Sequence, residues 1–215
     1  MSVCKLLEAF QSIDIVPMPV SRIVEALRDL GVTDEIRYAY DLELDPKVML
    51  GFLHRVESRR GRKRYISTIT YAKVGHELER LVVTKELIHV VDPVEVRISD
   101  RDGVKHLIER IVLPPELSYS ADDSEEVKND RYAIYEAIAL LFPLAARNRI
   151  YADYMANRIT LAKIADQAEL PMAYVAPVMT GHWPAIVTAL IEKRRRMEAA
   201  LATPQKPRKA RLLRG

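Results

Sequence analysis

Apolar positions along this 215-residue chain recur first at helical spacing, then at strand spacing, then at helical spacing again. Val3, Leu6, Leu7 and Phe10 share one face of a short helix over 2–12. Pro17 and Pro19 break the chain after it. Val20, Ile23, Val24, Leu27 and Leu30 predict a second helix over about 20–30, with Gly31 placed to close it. Residues 36–40 alternate as a strand. Residues 50–56 read as a second strand, in which Gly51 permits a bend or a close approach. Residues 65–71 are the third strand. The basic segment 58–64, with Gly61 at its middle, falls where a hairpin turn would join the last two.

From Gly75 the spacing predicts one helix over about 76–91, ended by Pro93. A short extended piece over 94–98, a turn over 100–103, a helix over 104–112 and a polar loop over 117–126 follow. A long helix over 126–141 stops at Pro143. Helices near 145–156, 161–168, 172–180 and 184–201 complete the pattern, and no internal repeat is present. Residues 203–215 are rich in Pro, Lys and Arg and read as a disordered tail. The fold class is therefore α+β, a small mixed sheet beside a central helix with a helical C-terminal half. We expect one domain over 1–180, a C-terminal helix over 181–202 and the basic tail.

Composition narrows the class. Hydrophobic residues make up 49% of the chain, enough for a sizeable core. Cys4 is the single cysteine, so no internal disulfide can form, which fits a reducing cytoplasm. The first residues do not read as a signal peptide, and no apolar run approaches the roughly 20 residues of a membrane span. The net charge of +3 is uneven. Residues 191–215 hold nine Lys or Arg against Glu192 and Glu198, a local +7, which leaves −4 for the remainder. Such a tail is either a solubilising end or an arm for polyanions.

Candidate chemistry lies in the predicted central helix. Its apolar run from Arg80 to Asp92 is interrupted by Lys85, Glu86 and His89. Buried charge is costly unless it is paired or bound to metal, so these three need a reason to be there. Positions 85 and 89 are one helical turn apart and share a face, with Glu86 beside them. His-Glu-x-x-His has this layout: two imidazoles bind zinc and the Glu serves as general base. Here the stretch reads Lys-Glu-Leu-Ile-His. A protonated ammonium has no lone pair for a metal and repels a cation.

Four stretches together resemble the ImmA/IrrE family of metallopeptidases, found in mobile elements, phages and stress-response loci. They are residues 16–31, with the closing Gly31; residues 51–53, with the strand glycine; residues 80–89; and residues 130–143, where Asp130, Ala133 and Leu140-Leu141-Phe142-Pro143 fall in register. A later run over 158–171 is similar to the family's helical segment after the site. The resemblance spans roughly residues 16–180. It implies zincin-like architecture, with Glu86 as general base and His89 and Asp130 as zinc ligands. Lys85 replaces the remaining ligand. The leading expectation is thus a protein without a cofactor, impaired in catalysis and acting on a protein partner in regulation. The alternative is an active zinc endopeptidase that cleaves a repressor-like protein, with a ligand rescued from elsewhere. Each residue also has a plainer reading: Glu86 in a salt bridge to Lys85 or Arg80, His89 as a hydrogen-bonded core histidine, Asp130 as a helix N-terminal carboxylate.

Other histidines and the basic residues complete the candidates. His76-Glu77 repeats the dipeptide, but position 80 is Arg, and His76 lies about 20 Å along the helix from His89. His54, His106 and His182 are not placed by sequence. Residues 159–179 have the apolar frame of a helix-turn-helix, but 171–179 contain no Lys or Arg with which to read bases. Lys193, Arg194, Arg195, Arg196, Lys206, Arg208 and Lys209 could hold nucleic-acid phosphates without sequence preference, which makes nucleic-acid association a third reading.

Overall fold

The computed structural model describes residues 2–47, 49–58, 64–92 and 125–202; of residues 64, 125–130, 201 and 202 only the backbone is described. The expected pieces over 94–98, 100–103 and 104–112, most of the polar loop over 117–126, and the tail over 203–215 lie outside the described residues. Elsewhere the order is α1 (Val3–Phe10), α2 (Val20–Asp29), β1 (Glu35–Asp41), β2 (Gly51–Ser58), β3 (Arg64–Ala72) and α3 (His76–Val91). Then come α4 (Glu125–Leu141), α5 (Leu144–Met155), α6 (Leu161–Ala168), α7 (Met172–Val178) and α8 (Trp183–Ala202). The α+β class and the helical C-terminal half are as the periodicity predicts.

Local chemistry explains the boundaries. The last turn of α2 closes as a Schellman motif: Gly31 N donates to Arg28 O at 2.8 Å and Val32 N to Leu27 O at 3.0 Å. Gly31 adopts φ 92° there, which a side chain would resist. Before α3, Gly75 has φ 105°, and Glu79 reaches back to accept from the backbone N–H groups of Val74 and Gly75, both at 3.2 Å. The N-cap donor of Gly75, one of those a helix start leaves unpaired, is satisfied this way, and the residue before it is held by the same carboxylate.

The sheet is three-stranded and mixed, in the order β1-β3-β2. Strand β1 runs parallel to β3, with Tyr38 opposite Ile69. Strand β2 runs antiparallel to β3, with Leu53 opposite Ile69 and Ser58 opposite Arg64. That register is a hairpin joined where the basic segment was expected, although 59–63 are not described. Helix α3 covers the face that carries Ile69, Leu53 and Gly51 and packs on its other side against α4. Residues 80–84, 86–88 and 90 of α3 are all buried, so the helix is enclosed nearly all round, as a central core helix must be.

One continuous core joins α1, α2, β3 and α3 to every later helix, from Leu6 and Leu7 through Leu87, Ile138 and Phe142 to Trp183 and Val187. Helix α8 is part of that core. Its first residue, Trp183, is completely buried. Among the described residues no single helix is long and apolar enough to cross a membrane.

Candidate functional site

Helix α3 is tied down at both ends by guanidinium groups, which sets where its polar residues point. Near its start, Arg80 is buried and donates to Ala168 O at 3.0 Å, Glu169 O at 2.9 Å and Met18 O at 2.6 Å. These carbonyls include the open C-terminal end of α6, which a cation satisfies well. Arg80 also pairs with the Glu169 carboxylate at 2.9 Å. It is therefore engaged away from Glu86.

Lys85 and Glu86 sit midway along the helix. Lys85 Nζ lies 3.0 Å from Glu86 Oε1, with the two side chains only 11% and 4% exposed. Consecutive residues on a helix normally point apart. Burial favours the contact, because the Glu86 carboxylate, 4% exposed, has little water to turn to. Lys85 also lines a mostly apolar cleft between the start of β2 (Leu50, Gly51), α3 (Leu78, Val82), Ile134 of α4 and Tyr174 of α7. Burial pushes the Tyr174 phenol up from its ordinary range.

His89 sits one turn further on and has a partner that the sequence reading missed. Its Nδ1 is 2.7 Å from Asp92 Oδ2. The other Asp92 oxygen accepts from Arg194 Nη1 at 2.6 Å. Arg194 in turn donates Nε and Nη2 to the two oxygens of Glu136, at 2.6 and 2.7 Å. Asp92, Glu136 and Arg194 are all buried. Burial pushes the Asp92 carboxyl up, but the hydrogen bond from His89 and the Arg194 charge outweigh it and hold the group below its usual range. For Glu136 the desolvation is larger than the help from Arg194, and its carboxyl is raised. Arg194 is desolvated too, yet its two carboxylates raise its pKa further.

This takes Arg194 out of the basic cluster at 193–196. Arg194 points into the protein and is not available to a phosphate. Lys193 places its ammonium over the Tyr132 ring. Arg195 pairs with Glu8 at 2.5 Å and Arg196 with Glu192 at 3.4 Å. Arg195 and Arg196 remain exposed, with side chains 60% and 82% accessible. Lys206, Arg208 and Lys209 lie outside the described residues.

Of the other candidates, Asp130 lies in α4, but its side chain is not described. His76 is exposed at the start of α3, 3.1 Å from Glu169. His54 is exposed on β2 and His182 is exposed just before α8, so neither joins His89; His106 is outside the described residues. Zinc sites of the His-Glu-x-x-His kind need three protein ligands. Among the described residues, no three His, Cys, Asp or Glu side chains gather where one ion could be held. Lys85 sets a positive charge one helical turn from His89, where the motif has its other imidazole.

A signal for the missed residues was present in the chain. Glu136 interrupts an apolar run over 132–142, so it required a buried partner. Comparison of the chain with protein-family models, with curated proteins and with solved structures finds no match.

Proposed function

We propose that this chain is a metallopeptidase-like protein of ImmA/IrrE type in which zinc hydrolysis has been lost, and that it acts in regulation through a protein partner. The observation that carries this reading is the buried Lys85–Glu86 pair at 3.0 Å. The ammonium stands at the position of the first imidazole and already engages the carboxylate that would serve as general base. One fixed lysine charge thereby offsets the carboxylate without a metal. Helix α3 and its strand neighbours then remain as a scaffold for the partner. A setting in a phage or mobile-element regulatory circuit follows from the resemblance alone.

A second reading, an active zinc endopeptidase cleaving a repressor-like protein, has one observation in its favour. A metal-binding imidazole commonly donates its other nitrogen to a carboxylate, and His89 has that contact with Asp92.

Zinc stoichiometry of protein purified without a histidine tag separates the two. The unmutated chain should hold far less than one zinc per molecule. Lys85→His, which rebuilds His-Glu-x-x-His, should acquire zinc. Stoichiometric zinc in the unmutated protein that is lost in His89→Ala would overturn the proposal and favour the peptidase.

A further inference from the structure

The two oxygens of Asp92 are divided between helices that are distant in sequence. Oδ2 faces His89 Nδ1 at 2.7 Å, and Oδ1 accepts from Arg194 Nη1 at 2.6 Å. A carboxylate paired with a guanidinium on one oxygen is ionised and can only accept on the other, so the proton in the first contact belongs to His89 Nδ1. Arg194 cannot swing away from this arrangement. Its Nε and Nη2 form a two-point fork with Glu136, and the guanidinium is planar, so fixing two nitrogens fixes the third.

We propose that Arg194 is a positioning residue for His89: helix α8, by inserting this one guanidinium, orients the Asp92 carboxylate, which holds the proton on His89 Nδ1 and sets the plane of the ring. Through this relay the state of the candidate-site imidazole is coupled to the docking of a helix 102 residues further along the chain. A partner that draws α8 off the body would release the imidazole from its fixed tautomer. The remaining contacts of α8 use other partners. Glu198 accepts from Ser2 Oγ at 2.5 Å and from Cys4 N at 3.1 Å, and Arg195 pairs with Glu8. These contacts, with Trp183 and Val187 in the core, hold the helix in place when Arg194 alone is changed.

The test is the imidazole nitrogen spectrum of His89 in protein labelled at histidine nitrogen, stripped of metal with a chelator, at a pH above the ordinary histidine range. In the unmutated chain Nδ1 should give the shift of a protonated, pyrrole-type nitrogen. In Arg194→Gln the Nδ1 and Nε2 shifts should move toward the averaged values of an imidazole exchanging between tautomers. Arg194→Lys, which keeps a charge near Asp92 but loses the fork, should fall between them. If Arg194→Gln does not fold, the double variant Glu136→Gln/Arg194→Met removes both charges of the fork together and should show the same averaging. Wild-type nitrogen shifts in either folded variant, or an averaged imidazole in the unmutated chain, would overturn the proposal. The measurement is made without metal, so its outcome is independent of the zinc stoichiometry.

Discussion

Gly51 at the start of β2 lies so close to Val82 of α3 that a Cβ built on it would stand 2.6 Å from Val82 Cγ1. The same Cβ would meet Thr70 O at 2.9 Å and Tyr71 Cβ at 3.2 Å. The edge strand and the site helix are thus spaced by the absence of one side chain. That spacing also shapes the cleft at Lys85, since Gly51 and Val82 both line it.

Gly51→Ala should therefore destabilise the protein by about 1–3 kcal/mol, as overpacking does. Adding Val82→Ala removes the tightest contact but leaves the Thr70 carbonyl, which is backbone and cannot turn aside. The double variant should recover part of the loss and no more. Denaturant midpoints of the single and double variants check this, and a neutral Gly51→Ala would mean that the strand can lift off the helix at little cost.

Removing Lys85 should be costly, because Glu86 would remain buried without the cation now 3.0 Å away. Lys85→Ala should lower the stability by about 3–5 kcal/mol, the usual range for breaking a buried pair on one side. Lys85→Met/Glu86→Gln, which removes both charges at similar volume, should lose much less. Urea unfolding of the three variants gives the comparison. A near-zero effect of Lys85→Ala would show that water or another group reaches Glu86.

Alkaline pH should weaken the contact between β1 and the start of α3. Tyr40 is pushed up to about 12 by its hydrogen bonds to Tyr71 and Glu79, the latter at 3.0 Å, and its ring lies 4.7 Å from that of Tyr71. A raised folded-state pKa means that the folded protein holds its proton longer than the unfolded chain. The contribution to stability is then fully present below the ordinary tyrosine value of about 10 and is lost as pH rises from there through about 12. In Tyr40→Phe this part of the alkaline slope should be missing. Thermal melts across that pH window, on both proteins, would show equal slopes if the contact contributes nothing.

Much of this molecule was legible before any coordinates. The helix over 76–91, the third strand and the helices after Pro143 followed from apolar periodicity bounded by glycine and proline, since these depend on neighbours a few residues apart. The Lys85–Glu86 pair was also within reach, because both residues interrupt one apolar run and a buried charge needs a partner. Arg194 shows where local reading stopped. In sequence it belongs to Lys193-Arg-Arg-Arg196, which reads as a solvated end. In the structure it continues the core stripe Trp183, Val187, Leu190 at helical spacing, and it is buried with them. Periodicity could place it on that face but could not supply a counter-charge. Asp92 and Glu136 stand 102 and 58 residues away, and only the packing of α8 across α4 and the end of α3 brings them within hydrogen-bond range. Local spacing decides which face a side chain takes; whether a charge on that face is tolerable depends on distant groups that meet only when the core closes.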